Sequence, residues 1–514
     1  MHSLNVVYYL CALVLLRATY ILWQTLRSPH LDIPGPLTAR FTRFWYWRRL
    51  RNGRFERDNI KLHGKYGHIV RIAPNWYSID DPSAIKTIYG IGSKWRKSDW
   101  YYGWTPLDPA RVTLFTDRNI QNHANQRRNI ATLYSTSSLV NYEPFVDRCA
   151  DIFEKRLREH ARAQRALDMG HWFQCYAFDV IACITYGERI GFLNSGKDVN
   201  GIMSSLWAAM RYSSSIGIFS EWHATIWPLT SRLPGTGGSA RADIMKFIQS
   251  RVDERKIERK KRDMETRRAG SRKPVEPGLP EDFLEKLLNE QEVNPQKITP
   301  MDVFAMGMAN IFAGSDTTAI SLSSILYHLI KTPSTLDKLR QELEAKQAAG
   351  ECASSRVTFK ESLGMPYLQA VMKEALRMHP AAGLPLWRVV PGGGATVSGR
   401  FFPEDSVLGV NPWVAHKNKN VFGSDAHIFK PERWIEAGPE QLKIMESYYM
   451  PFGLGARICL GRHISELEMS KLIPRIIREF NFELTSQNPM ESENCWFVKP
   501  TNFMLRVRER VQAL

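Results

Sequence analysis

Phe452-Gly453-Leu454-Gly455-Ala456-Arg457-Ile458-Cys459-Leu460-Gly461 is the stretch that decides how this chain reads. A single cysteine stands in a glycine-rich loop beside an arginine, and a helical run, Arg462 to Phe480, follows at once. Backbone N–H groups of such a loop, together with the N-terminus of the next helix, stabilise negative charge on sulfur. The glycines let the backbone approach a flat ligand. A lone cysteine in a loop is usually structural, but the five-position pattern FxxGxRxCxG is much more specific than a lone cysteine.

Three other segments work outward from it. Residues 299–331 form a very long apolar helical pattern interrupted by Ala313-Gly314-Ser315-Asp316-Thr317-Thr318. Read alone, that interruption is a set of hydroxyls bonding back to carbonyls one turn earlier. Glu374-Ala375-Leu376-Arg377 places opposite charges at i, i+3 on one helix face, which by itself is an ordinary helix pair. Pro431-Glu432-Arg433-Trp434 and His123-Ala124-Asn125-Gln126-Arg127-Arg128 complete the set.

Taken together these segments resemble the cytochromes P-450, over nearly the whole chain. In that family the cysteine loop binds haem and the cysteine thiolate is the axial ligand of iron, which makes Cys459 the metal ligand. The resemblance implies haem b as cofactor, with Phe452, Arg457 and Gly461 in the binding loop and Ala313 and Gly314 beside the haem. AGSDTT looks like the family's AGxDTT oxygen-activation motif. On that reading Gly314 removes bulk where dioxygen sits, Thr317 supplies a hydroxyl, and Asp316 links it to protons as the second catalytic residue. Glu374 and Arg377 match ExxR, and Arg433 of the PERF-like element is expected to join them in a buried network that positions the cysteine loop. Trp434 replaces the family's Phe, and His123 stands where the family often has Trp in WxxxR. Haem propionates are anionic, so His123, Arg127, Arg388 and Arg457 are candidate partners. Within the family the chain looks most like the fungal, membrane-anchored group that includes pisatin demethylase-like enzymes, on HGKYGHIVRIAPNWYSIDDP, SKWRKSDWYYGW and ANIFAGSDTTAISLSSILYHL.

The remaining sequence sets the architecture. Of 514 residues, 44% are hydrophobic and 24% charged, which excludes a disordered, collagenous or polytopic membrane protein. Seven scattered cysteines without CxxC argue against a disulfide framework or a zinc site. Leu4 to Trp23 is apolar enough to span a bilayer, with Arg17 near its end, and Arg27, Arg40, Arg43, Arg48, Arg49 and Arg51 follow. The positive-inside rule then puts the bulk of the chain in the cytosol. We expect a membrane anchor at 1–27, a proline-rich hinge and basic entry segment at 28–60, with Ile33-Pro34-Gly35-Pro36 as the hinge, and one catalytic domain at 61–514. His63 to Asp80 reads as a two-strand hairpin, and strand-like segments fall at 385–390, 396–402 and 406–410. Further helices are expected at 334–346 and 358–379, and Pro274 to Pro280 marks a linker. The expected fold class is mainly α with small β-sheets (α+β), the cytochrome P-450 fold behind an N-terminal transmembrane helix.

Net charge is +17. Residues 251–273 hold eleven basic and five acidic side chains and no aromatic ring, a solvated helix end and not a nucleic-acid site. The leading function is a monooxygenase acting on an apolar small molecule in fungal secondary metabolism or detoxification. The resemblance implies electrons from NADPH through a flavin-bearing cytochrome P-450 reductase, cytochrome b5 as a further partner, and a place in the endoplasmic reticulum membrane among its lipids. Two alternatives are a haem-thiolate isomerase or dehydratase needing no external electrons, and a non-enzymatic haem-binding sensor. Relatives of the first kind usually depart from the Asp-Thr pair, which is intact here.

Overall fold

The computed structural model describes residues 30–105, 112–269, 280–352, 354, 356–486 and 489–510, with isolated residues between 8 and 23. In chain order the principal helices are α1 (Phe44–Arg51), α2 (Phe55–Tyr66), α3 (Pro82–Tyr89), α4 (Ile120–Ile130), α5 (Glu143–Arg162), α6 (Met169–Tyr186), α7 (Ile202–Gly217), α8 (Gly237–Ala269), α9 (Phe283–Val293), α10 (Pro300–Lys331), α11 (Pro333–Ala348), α12 (Pro366–Met378) and α13 (Arg462–Glu479). The strands are β1 (Ile69–Ala73), β2 (Trp76–Ile79), β3 (Arg96–Lys97), β4 (Leu167–Asp168), β5 (Arg388–Val389), β6 (Ala395–Val397), β7 (Arg400–Phe402), β8 (Val407–Gly409), β9 (Phe480–Leu484), β10 (Glu491–Asn494), β11 (Val498–Thr501) and β12 (Met504–Glu509).

The long apolar pattern folds as the single helix α10. Thr299 and Asp302 form a capping box at its start with Pro300 in the first turn, and Pro333 begins the next helix. Both faces of α10 are clothed: it packs most extensively on α6 and also touches α8, α12 and α13. The larger apolar core is built around these helices. A second core lies between α3, the β-sheet and residues 415–450.

The sheet runs β1-β2-β8-β5-β3. The hairpin expected at 63–80 is β1 and β2, antiparallel, turning at Asn75 with φ +59°. Its expected first residues, His63 to Tyr66, instead end α2. The segment expected as one helix at 358–379 is two, Phe359–Leu363 and α12, parted at Gly364 and Met365 ahead of Pro366.

Two expectations on the entry segment are corrected. The boundary between residues 60 and 61 falls inside α2, because Phe55, Glu56, Asn59 and His63 are all buried on one side of that helix. Nor is Ile33–Pro36, expected as a stiff hinge, a separate joint: Ile33 is fully buried, and the Arg71 N–H of β1 donates to the Pro34 carbonyl at 2.9 Å. Among the described residues no helix is long and apolar enough to cross a membrane. Leu4–Trp23 lies largely outside the described residues, as does most of Pro274 to Pro280. The basic run is more than a solvated end, since Arg255, Arg259 and Arg262 on α8 all reach Glu285 of α9.

Candidate active site

Cys459 sits two residues before Gly461, the N-cap of α13. The loop is a tight fold-back: the Cys459 N–H donates to the Phe452 carbonyl at 2.8 Å, and that of Gly453 to Met450 at 3.1 Å. Gly455 has φ +63°, and a Cβ there would lie 1.7 Å from the Tyr89 carbonyl at the end of α3. No other residue fits that approach. The Gly461 N–H points to the Cys459 sulfur. Burial pushes the thiol up, while Gly461, Arg127 and Arg462 work toward the thiolate. Cys459 nevertheless keeps accessible surface, unlike the other described cysteines, all of which are buried. Both statements hold where a side chain opens on an enclosed recess and not on bulk solvent.

Facing side chains of α10 behave alike. Ala305, Ala309, Phe312, Ala313 and Thr317 keep accessible surface in mid-helix, whereas Phe304, Met308, Ile311 and Ser315 are buried. The spacing of four traces one helix face, lined mostly by small residues. The helix joins the cysteine loop through Thr318, whose hydroxyl donates to Ser465 Oγ at 3.2 Å, four residues past Gly461.

Beside the loop lies a basic cluster. Arg127 of α4 donates to the Ile458 carbonyl at 2.8 Å, directly before Cys459. Arg457 donates to the Asp117 carbonyl at 2.8 Å, and its Nη2 is buried with no partner among the described residues. Arg388 of β5 bonds only carbonyls and the Tyr101 hydroxyl. Lys97, a member missed in the sequence, pairs with Arg388 directly across the β3–β5 ladder and holds the carbonyls of Leu114 and Phe115 at 3.2 and 2.5 Å. Like charges opposite each other weaken a ladder. Among the described residues none of Lys97, Arg127, Arg388 and Arg457 forms an ion pair with a carboxylate. The consequence shows in His123, which is buried and held down to about 3, first by burial and then by Arg457, Lys97, Arg127 and Arg388. An anion is what such a cluster lacks. An accessible thiol, a backbone donor aimed at it, a small-residue helix face and an uncompensated basic rim together fit a flat, dianionic, thiolate-ligated haem.

The segment Ala313–Thr318 is divided by its own geometry. Thr317 donates its hydroxyl to the Ala313 carbonyl at 2.6 Å, the back-bonded form, and retains lone pairs toward the accessible face. Asp316 points the other way and is buried. Gln174 of α6 donates to its Oδ1, Lys499 of β11 lies 3.8 Å from the same oxygen and donates to the Gln174 side-chain Oε1 at 2.8 Å, and Oδ2 has no partner among the described residues. Burial raises the Asp316 carboxyl, with Lys499 and then Gln174 opposing. The space assigned to Gly314 needs correction: a Cβ there would stand 2.8 Å from Ile181 Cγ1, so its smallness lets α6 approach α10.

Glu374, Arg377 and Arg433 meet in one buried set of ion pairs, with further members. Glu374 and Arg377 are fully buried and joined by two bonds of 2.8 Å. Arg433 reaches Glu374 at 3.4 Å and Asp425 at 2.7 Å. Trp434 is no mere substitute for phenylalanine, since its Nε1 donates to Glu374 Oε2 at 2.9 Å. The relay to the cysteine loop is His416, also missed in the sequence. Arg377 donates to the His416 carbonyl at 2.6 Å, and His416 Nε2 accepts from the Met450 N–H at 2.9 Å. That leaves the proton on Nδ1, facing the Arg377 carbonyl at 3.1 Å. Burial, then Arg377, keeps this imidazole neutral.

Comparison with known proteins agrees with this geometry. The family profile described as Cytochrome P450 matches residues 34–507. A pisatin demethylase of Fusarium vanettenii is 37% identical over 483 residues, covering 94% of this chain and 89% of its own length. The cytochrome P450 monooxygenases pkfB and cicH of Emericella nidulans are 35% and 34% identical, covering 98% and 96% of this chain and 96% of each relative. With the cysteine loop, the buried Glu374–Arg377–Arg433 network and a match along nearly its whole length, this chain belongs to the cytochrome P450 family of haem-dependent oxidoreductases.

Proposed function

We propose that the protein is a haem-thiolate monooxygenase that oxidises an apolar small molecule in fungal secondary metabolism or detoxification, with electrons from NADPH delivered by a cytochrome P450 reductase and cytochrome b5 as a second donor. The observation that carries the reading is Cys459, an accessible thiol receiving the Gly461 N–H beside an uncompensated basic rim. Cys459 would hold the haem iron, and Arg127, Arg388, Arg457, His123 and Lys97 its propionates. Haem in that place supplies the activation of dioxygen. The chain's own part is positional and protonic. The small-residue face of α10 leaves room for substrate, and the aromatic rings of Phe115 and Phe312 are partly accessible beside the core. Thr317 offers a hydroxyl that can swing off the Ala313 carbonyl, and Asp316 keeps an unpartnered oxygen for a proton.

Leu4–Trp23 would anchor the chain in the endoplasmic reticulum membrane, with the arginines after it setting a cytosolic catalytic domain and contacting anionic lipid. Glycan acceptors engineered before Leu4 and after Ile60 test that topology: only the first should be modified.

Function is tested by the reduced carbon-monoxide complex and by labelled dioxygen. Wild type should show the thiolate-type red-shifted Soret band and place one labelled oxygen in product per NADPH consumed. Cys459→Ala should lose the band. Retention of the band, or product formed without NADPH, refutes the proposal.

A further inference from the structure

Arg241 is the buried cation that the reaction above leaves unexplained. It lies early in α8 beside the buried Ala240 and Ile244, and only 6% of it is exposed. Ile248, seven residues and so about 10 Å further along the helix, packs against Gly307 of α10. Arg241 donates through Nη2 to the Trp104 carbonyl, and its Nε is buried with no partner. Among the described residues no carboxylate pairs with it; the ring of Trp227 lies 5.6 Å from the guanidinium. Burial lowers it to about 10, which still leaves it charged at neutral pH.

Its neighbour is equally unsatisfied. The Trp104 indole Nε1 is buried without a partner among the described residues. Trp104 stands in an aromatic wall, 5.4 Å from both Trp100 and Phe115 and 6.2 Å from Trp496. Phe115 in turn lies 5.1 Å from Lys97 Nζ, so the wall runs from the basic rim to Arg241. A buried guanidinium without a counter-charge is costly, and tethering one carbonyl does not require a charge. The fork geometry of Nε and Nη suits a carboxylate.

We propose that Arg241 anchors an acidic group of the substrate, so that the molecule oxidised carries a carboxylate on an otherwise apolar, ring-bearing body. This rests on the monooxygenase reading and narrows its substrate class.

The test uses the full-length, haem-loaded protein and two probes, 2-naphthylacetate and its methyl ester, titrated by the Soret shift and by the unfolding midpoint. The acid should bind at least about tenfold tighter than the ester. Arg241→Met should weaken the acid about tenfold or more and leave the ester within about twofold, with Arg241→Lys between. Without probe, Arg241→Met should unfold at or above the wild-type midpoint, since it removes an uncompensated charge. Equal binding of acid and ester, parallel loss of both in Arg241→Met, or a midpoint several degrees lower would overturn the proposal and return Arg241 to a structural tether. The midpoint shift by acid over ester does not depend on iron ligation, so a missing thiolate band refutes the parent reading without masking this one.

Discussion

Trp434→Phe restores the residue usual at this place in the family, and the structure makes it destabilising. The indole Nε1 gives Glu374 its bond at 2.9 Å, in a site where Glu374 and Arg377 have no exposed surface. The other donors to that carboxylate are Arg377 Nε and Nη2 at 2.8 Å, the Lys430 N–H at 3.0 Å and Arg433 Nε at 3.4 Å. None stands ready to take over Oε2 from the Trp434 side. A buried hydrogen bond to a charged group is worth about 1.5–3 kcal/mol. Phenylalanine also thins the contact with Tyr449 at 5.1 Å and the Lys373 cation at 4.3 Å, which adds about 0.5–1 kcal/mol. The expected loss is about 3 kcal/mol, read as an earlier urea midpoint for loss of the thiolate Soret band and of the near-ultraviolet signal.

A double-mutant cycle isolates the hydrogen bond. In a Glu374→Gln background the acceptor is neutral, and Trp434→Phe should cost about 1 kcal/mol, less than half its wild-type cost. Glu374→Ala should be far worse, because Arg377 would keep only carbonyls and the Met378 sulfur as partners and a buried, unpaired charge costs about 3–5 kcal/mol. A Trp434→Phe cost within about 0.5 kcal/mol of zero, or one of equal size in both backgrounds, would refute the reasoning that the indole is part of the charge network.

Gly314→Ala should destabilise by about 1–3 kcal/mol through its contact with Ile181, and Ile181→Ala should recover most of that; independent costs would return the glycine to the dioxygen site. Lys97→Met should leave the ligand-free chain as stable or more stable, by relieving the like-charge pair with Arg388, yet speed haem loss about tenfold; slower haem loss would take Lys97 out of the rim. Lys499→Met removes the leading influence that opposes burial at Asp316, so its carboxyl rises further. The raised group protonates at a higher pH, so the acid limb of product formed per NADPH should move upward; a limb that stays fixed or moves down would separate Asp316 from the proton supply.

The parts legible in the sequence share one property: a periodic or local rule fixes them. α10 is a sustained apolar pattern between Thr299 and Pro333, β1 and β2 alternate about a turn, and Glu374 and Arg377 meet because i and i+3 share a face. The cysteine loop was legible because glycine, arginine and cysteine recur there at a spacing that random chains seldom supply. What stayed hidden depends on partners distant in the chain. Lys97 and Arg388 are opposed by a strand pairing across 290 intervening positions, which neither short strand announces. His416 is a relay only because α12 brings the Arg377 carbonyl to one ring nitrogen while residue 450 brings an N–H to the other. The failure at Gly314 has the same cause. A motif records that bulk is excluded at a position, but whether dioxygen or Ile181 excludes it is decided by how α6 crosses α10, and that crossing is a property of packing, not of the motif. Trp434 shows the converse: a departure from the family pattern gains its meaning from one N–H, visible only once the carboxylate it meets is in place.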